Sequence, residues 1–140
     1  MPLALPRKTI EIFSQAKDPE AYKKTVFGIL GGLDDVEVLY NAVLIAAYIR
    51  PERTSGGIIR PTENVAEDVW QGKSGLVLKL GPNAFKDDEY NKFHNQRVDV
   101  GDWCAFFIQD AKLLSIKDVP CRLVEDSNIK LKVKDPSIVF

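Results

Sequence analysis

The period of hydrophobic and polar positions changes once along the chain, at Gly31-Gly32. Before it, DPEAYKKTVFGILGG opens on Asp18 as a helix N-cap and Pro19 at the first helical position, and closes on the glycine pair. Tyr22, Val26, Phe27 and Leu30 fall at i, i+4, i+5 and i+8, so one side of this short helix is apolar and is predicted to pack. Gly28, inside it, weakens it.

Beyond Gly32 the helical period is lost. Short β-branched or aromatic runs take over, separated by clusters of Gly, Pro, Asn and Asp: VLIAAYI (43–49), SGLVLKL (74–80), WCAFFI (103–108), AKLLSI (111–116), CRLVE (121–125) and NIKLKV (128–133). In the last, Ile129, Leu131 and Val133 alternate with Lys130, Lys132 and Lys134, which predicts a strand with one dry face. A parallel α/β sheet needs crossover helices, and the pattern offers none. The expectation is a mainly β fold, a compact barrel or sandwich. Residues 1–38 then form an N-terminal extension with one short helix, and residues 39–140 form the β domain.

Two long connections interrupt the strands, Arg50 to Gly72 and Gly81 to Gln96. Loops of this length inside a compact domain are usually functional or disordered. The first contains RPERTSGGIIRPTENVAED, where Gly56 and Gly57 precede Ile58, Ile59 and Arg60. Each exposed isoleucine forgoes roughly 1.5–3 kcal/mol of burial. Either the pair completes the core, with Gly-Gly marking a bulge, or a partner covers it. Gly-Gly here is no phosphate cradle, because a Walker loop runs from GxxxxGK[ST] into a helix. It reads as a hinge.

Composition narrows the functional classes. The chain has 140 residues, enough for one domain with a core, and its net charge of -1 exerts no global pull on nucleic acid, so no nucleic-acid partner is expected. No apolar run approaches the ~20 residues that cross a bilayer, and the N-terminus lacks the basic start of a signal peptide. The expectation is a soluble, cytoplasmic protein without a membrane partner. Cys104 and Cys121 lack CxxC spacing and sit in apolar runs, as buried thiols do; a disulfide between neighbouring strands is the alternative.

His94, the one histidine, lies in a polar stretch as a solvated loop residue, and the adjacent Asp87, Asp88 and Glu89 lack EF-hand spacing and read as a charge patch. Trp70 and Trp103 read as structural anchors, Trp70 also as an interface candidate beside the first loop. No P-loop, GxSxG or HExxH occurs. No catalytic residue, metal ligand or cofactor site is assigned, and the chain is expected not to be an enzyme.

The order of VLIAAYI, RPERTS, GGII, a proline two residues on, a charged segment ending in QGK, LVLKLG, a second long loop and VDVGD before an aromatic-rich strand resembles the chaperonin-10 family, the GroES-type co-chaperonins. The resemblance spans about residues 39 to 134. It implies a small GroES-like β-barrel, assembled as a homo-oligomeric ring of seven, that caps an ATP-driven double-ring chaperonin. It makes Arg53 to Lys73 a mobile loop whose Gly56 and Gly57 precede the docking residues Ile58, Ile59 and Arg60, and Gly81 to Arg97 the hairpin roofing the dome. Two features differ: Arg60 stands where the family usually carries a third apolar residue, and residues 1–38 precede the domain. They suit a second reading, a phage virion protein of the decoration or cement type that reuses the barrel, located in the virion with capsid proteins as partners. Under the first reading too, the divergence suits a phage-encoded chain.

Overall fold

The computed structural model describes residues 18–48 and 73–139. Among these the fold is mainly β, with six antiparallel strands in one sheet and one α-helix, as the periods predict. Helix α1 (Pro19–Leu30) begins where Asp18 Oδ1 accepts the Ala21 N–H at 2.8 Å, and it ends at Gly31, whose N–H donates to the Phe27 carbonyl at 2.8 Å. The predicted stripe packs: Tyr22, Val26 and Leu30 are buried and Phe27 partly so. Each of the three stabilises the packing by roughly 1.5–3 kcal/mol.

The strands are β1 (Ala42–Ala47), β2 (Ser74–Leu80), β3 (Trp103–Phe106), β4 (Ala111–Ile116), β5 (Val119–Glu125) and β6 (Ile129–Val133), in the spatial order β4-β5-β1-β2-β3-β6. β1 and β2 lie in the middle; β1, and Leu76–Leu78 of β2, read as continuous apolar runs because both faces are covered there. On one face Leu44, Ala46, Leu76, Leu78, Trp103 and Cys121 form a core with α1. On the other, Val43, Ile45, Val77, Cys104, Phe106 and Val124 form a second core. No described helix lies over this second face; Ala84 and Phe85 of the second loop and Val98, just after it, close over it. Register shifts at Leu44/Ile45 and Ala105/Phe106 mark bulges, which add twist and bend strands, so they favour a curled sheet over a flat one.

Two expectations change in detail. The run WCAFFI is a strand only to Phe106: Phe107 is exposed, and Ile108–Asp110 is a 3-10 turn that redirects the chain to β4 at the opposite edge. The dry face predicted for β6 is only half dry. Ile129 and Val133 are partly buried, whereas Leu131 between them is 55% exposed, because β6 is an edge strand with no described element over its middle.

The β4–β5 hairpin turns through Lys117 and Asp118, both at positive φ (49° and 64°), between the pair Ile116 and Val119. Positive φ at both central residues is the tight two-residue turn that matches strand twist, here made without the usual Asn-Gly. Among the described residues no helix is long and apolar enough to cross a membrane.

Candidate functional site

Gly56, Gly57, Ile58, Ile59 and Arg60 lie outside the described residues, as does Trp70. The stem that carries them is described. β1 and β2 pair as far as Ala47 and Gly75, and one step further the Tyr48 N–H donates to the Ser74 carbonyl at 3.1 Å. The connection 49–72 therefore leaves and re-enters the sheet at adjacent points.

That stem is braced from behind. Tyr22 of α1, Tyr48 and Trp103 form a buried aromatic cluster, with ring centroids 5.4 Å apart for Tyr22–Tyr48 and Tyr48–Trp103 and 6.0 Å for Tyr22–Trp103. Edge-to-face pairs of this kind add about 0.5–1.5 kcal/mol beyond their burial. The Tyr22 hydroxyl also donates to the Ala47 carbonyl, and Ser74 is buried. Trp103 is thus the structural anchor its apolar run suggested.

The second long loop is held by polar contacts at both ends and within. It begins at Gly81, whose N–H donates to the Ala42 carbonyl at 2.8 Å; a Cβ there would lie 2.2 Å from the Tyr40 carbonyl oxygen, so only glycine permits the approach. Asp126, buried at the turn before β6, accepts from Phe85 N–H at 3.0 Å, from Asn41 Nδ2 at 3.1 Å and from its neighbour Ser127 N–H at 2.7 Å. One carboxylate thus ties the loop to the start of β1 and to the turn before β6.

Further along, Asp87 Oδ1 accepts the Phe93 N–H, and Asp88 Oδ1 accepts those of Tyr90 and Asn91, each at 2.7 Å. The Asn91 and Tyr90 amides hold the Asp88 carboxyl below its usual pKa. Asp87 and Asp88 are therefore more than a solvated charge patch: they cap the loop's own turns. Phe85 and Phe93 meet edge to face with centroids 5.5 Å apart.

The VDVGD motif closes the loop as a backbone device. Gly101 has φ 94°, a value that side chains rarely allow, and its N–H donates to the Val77 carbonyl at 2.9 Å while the Val77 N–H donates to the Asp102 carbonyl at 2.9 Å. Asp102 Oδ2 accepts the Asp99 N–H at 2.8 Å. The motif clips the end of the loop onto β2.

Between this loop and β6 runs an open groove of about 740 Å³. Lys92, Phe93 and Arg97 line one wall, and Lys130, Leu131 and Lys132 of β6 the other. His94, also on the loop wall, is exposed with φ 55°. The lysine alternation was visible in the sequence, but as a solvent face. Its meeting with Lys92 and Arg97 depends on the fold.

The remaining reactive groups are buried. Cys104 and Cys121 are free thiols in the two separate cores, and burial pushes each up to about 12. Thiols so shifted are poor nucleophiles at neutral pH, in keeping with the structural reading. Arg122 is buried on the face of Ile45, its cross-strand partner, and its Nη1 donates to the Ala111 carbonyl at 2.9 Å; desolvation lowers its pKa. Among the described residues no group of three or more His, Cys, Asp or Glu side chains is placed to hold a metal ion. No protein-family model matches the chain, and no curated protein matches it.

Proposed function

We propose that the protein is a non-enzymatic, co-chaperonin-like ring protein of the chaperonin-10 type, whose GGII segment docks on a chaperonin and caps its folding chamber. The observation that supports this reading most is the position of that segment. It hangs from a closed stem, Tyr48 against Ser74, at the middle pair of a β-sheet, and the next connection is the second long loop, ended by VDVGD. In this reading Ile58 and Ile59 are the anchors and Arg60 lies at the groove's edge, its aliphatic stem against apolar surface and its head in water.

The physics suits a reversible cap. A segment that orders on binding loses contact energy to conformational entropy, so one copy binds weakly. A ring presents several copies together, and their avidity holds the cap without making any single contact permanent.

A second reading, a phage virion protein whose partners are capsid proteins, is favoured by Arg60 and by the chain that precedes the β domain. One experiment separates the two: native electrophoresis with a double-ring chaperonin, with and without ATP, beside an Ile58→Asp, Ile59→Asp variant. A nucleotide-dependent complex that the variant loses is the expected result. Absence of any complex, from protein shown to be folded by circular dichroism, overturns the co-chaperonin reading in favour of the virion one.

A further inference from the structure

Helix α1 comes before the first strand in the chain, yet it is fixed to the sheet at both ends. Past its C-terminus, Lys79 of β2 donates to the Leu33 and Val36 carbonyls at 2.7 and 2.6 Å, which holds the connection from α1 down on the sheet. In its first turn, the Tyr22 hydroxyl donates to the Ala47 carbonyl. Ala47 is the last residue of β1, and Tyr48 after it leads into the connection 49–72.

The register explains why a side chain bonds that carbonyl. Successive residues of a strand turn their N–H and C=O groups to alternate sides. The Tyr48 N–H goes to Ser74 of β2, so the N–H and C=O of Ala47 face the other way, toward β5. Ala46 pairs with Cys121 there, which sets Ala47 opposite Pro120. Proline has no N–H, so β5 cannot return a bond to the Ala47 carbonyl from that position. The Tyr22 hydroxyl stands in for it. The other half of the stem is held from within the β domain: the Phe106 N–H of β3 donates to the Lys73 carbonyl at 2.9 Å, and the Ser74 hydroxyl to the Pro136 carbonyl at 3.4 Å. The end of β1 thus takes from α1 a bond that the sheet does not supply.

We propose that α1 is a brace for the docking segment, with Tyr22 as its positioning residue. By closing the end of β1, the hydroxyl fixes the points from which 49–72 leaves and re-enters the sheet, and so strengthens the docking of GGII. The inference rests on the co-chaperonin reading. Its physical basis is ordering entropy: where the end of β1 frays, Ala47, Tyr48 and their partners have to be ordered again when GGII binds, and each residue so fixed takes away part of the contact energy. A ring multiplies the loss, because every copy suffers it.

The test compares the full wild-type chain with variants of it. Tyr22→Phe keeps the Tyr22, Tyr48 and Trp103 rings and removes the hydroxyl. A Tyr22→Phe, Pro120→Ala double variant gives β5 the N–H that replaces it, and Val124→Ala weakens the second core, away from the stem. Each is measured, where circular dichroism shows it folded, by amide exchange at Tyr48 and by affinity for a double-ring chaperonin with ATP. Tyr22→Phe is expected to speed Tyr48 exchange and to weaken binding, each by about fivefold, the scale of one lost hydrogen bond. The double variant is expected to recover most of both, and Val124→Ala to bind as the wild type does. Unchanged exchange or unchanged binding in Tyr22→Phe overturns the brace. So does a double variant that recovers neither, and so does an equal loss of binding in Val124→Ala, which makes the effect one of general stability. A wild-type chain that does not bind the chaperonin is a separate result: the co-chaperonin reading fails, and the inference falls with it.

Discussion

Replacing Asp126 tests the clasp that positions the second loop. Its two oxygens accept from Asn41 Nδ2 at 3.1 Å, Ser127 N–H at 2.7 Å and Phe85 N–H at 3.0 Å, at a residue 3% exposed. Asp126→Ala leaves three donors without an acceptor, each costing about 1–3 kcal/mol where water cannot reach it. The donors are only partly buried, so water recovers some of this, and the expected loss is about 3–5 kcal/mol. Asp126→Asn keeps one acceptor and turns an N–H₂ group toward a donor, for a loss of about 1–3 kcal/mol. The backbone bond from Asp126 N–H to the Asn41 carbonyl, 3.1 Å, is untouched in both variants, so the difference reads the side chain alone. Urea unfolding followed by far-UV circular dichroism measures the stabilities, and amide exchange at Phe85 reports whether the loop has come loose. A loss under about 1 kcal/mol in the alanine variant, or an unchanged Phe85 exchange rate, would refute the clasp.

Two further outcomes are expected. Gly28 faces open space with an ordinary helical backbone, so Gly28→Ala raises stability by about 0.5–1 kcal/mol; a lower denaturation midpoint would show that α1 needs the glycine for contacts outside the described residues. The Asp88 carboxyl is held below its ordinary value of 3.8, so its hold on the Tyr90 and Asn91 amides is present above that value and is lost as pH falls through the lower folded pKa. In an NMR titration from pH 5 to 2, with Asp88→Asn as the control, both amides are expected to shift with a midpoint below the ordinary one, and a midpoint at or above 3.8 contradicts the assignment.

The elements were legible because their causes are local. Asp18, Pro19 and Gly31 mark the ends of α1 through a cap, a fixed φ and a left-handed terminus, all set within a few residues. AKLLSI and SGLVLKL have the boundaries read from the sequence because turn residues flank them. The tight turn at Lys117 and Asp118 was not legible, since Lys117 is not a usual bearer of positive φ and no glycine follows at the second position. VDVGD was legible as a motif, but its work, clipping a turn onto Val77, appears only once β2 lies beside it.

Among the described residues, sequence alone therefore determined the mainly β class, the helix at 19–30 with its packed stripe, and the second long connection, because hydrophobic period and turn chemistry act over neighbouring residues. The tertiary structure decided which strands stand at the edges, and so why Leu131 is exposed where alternation made it dry. It also decided that Asp126 serves Asn41 and Phe85, and that Lys92 and Arg97 face Lys130 and Lys132 across one groove. Those relations join residues far apart in the chain, and burial and charge there depend on which strands become neighbours.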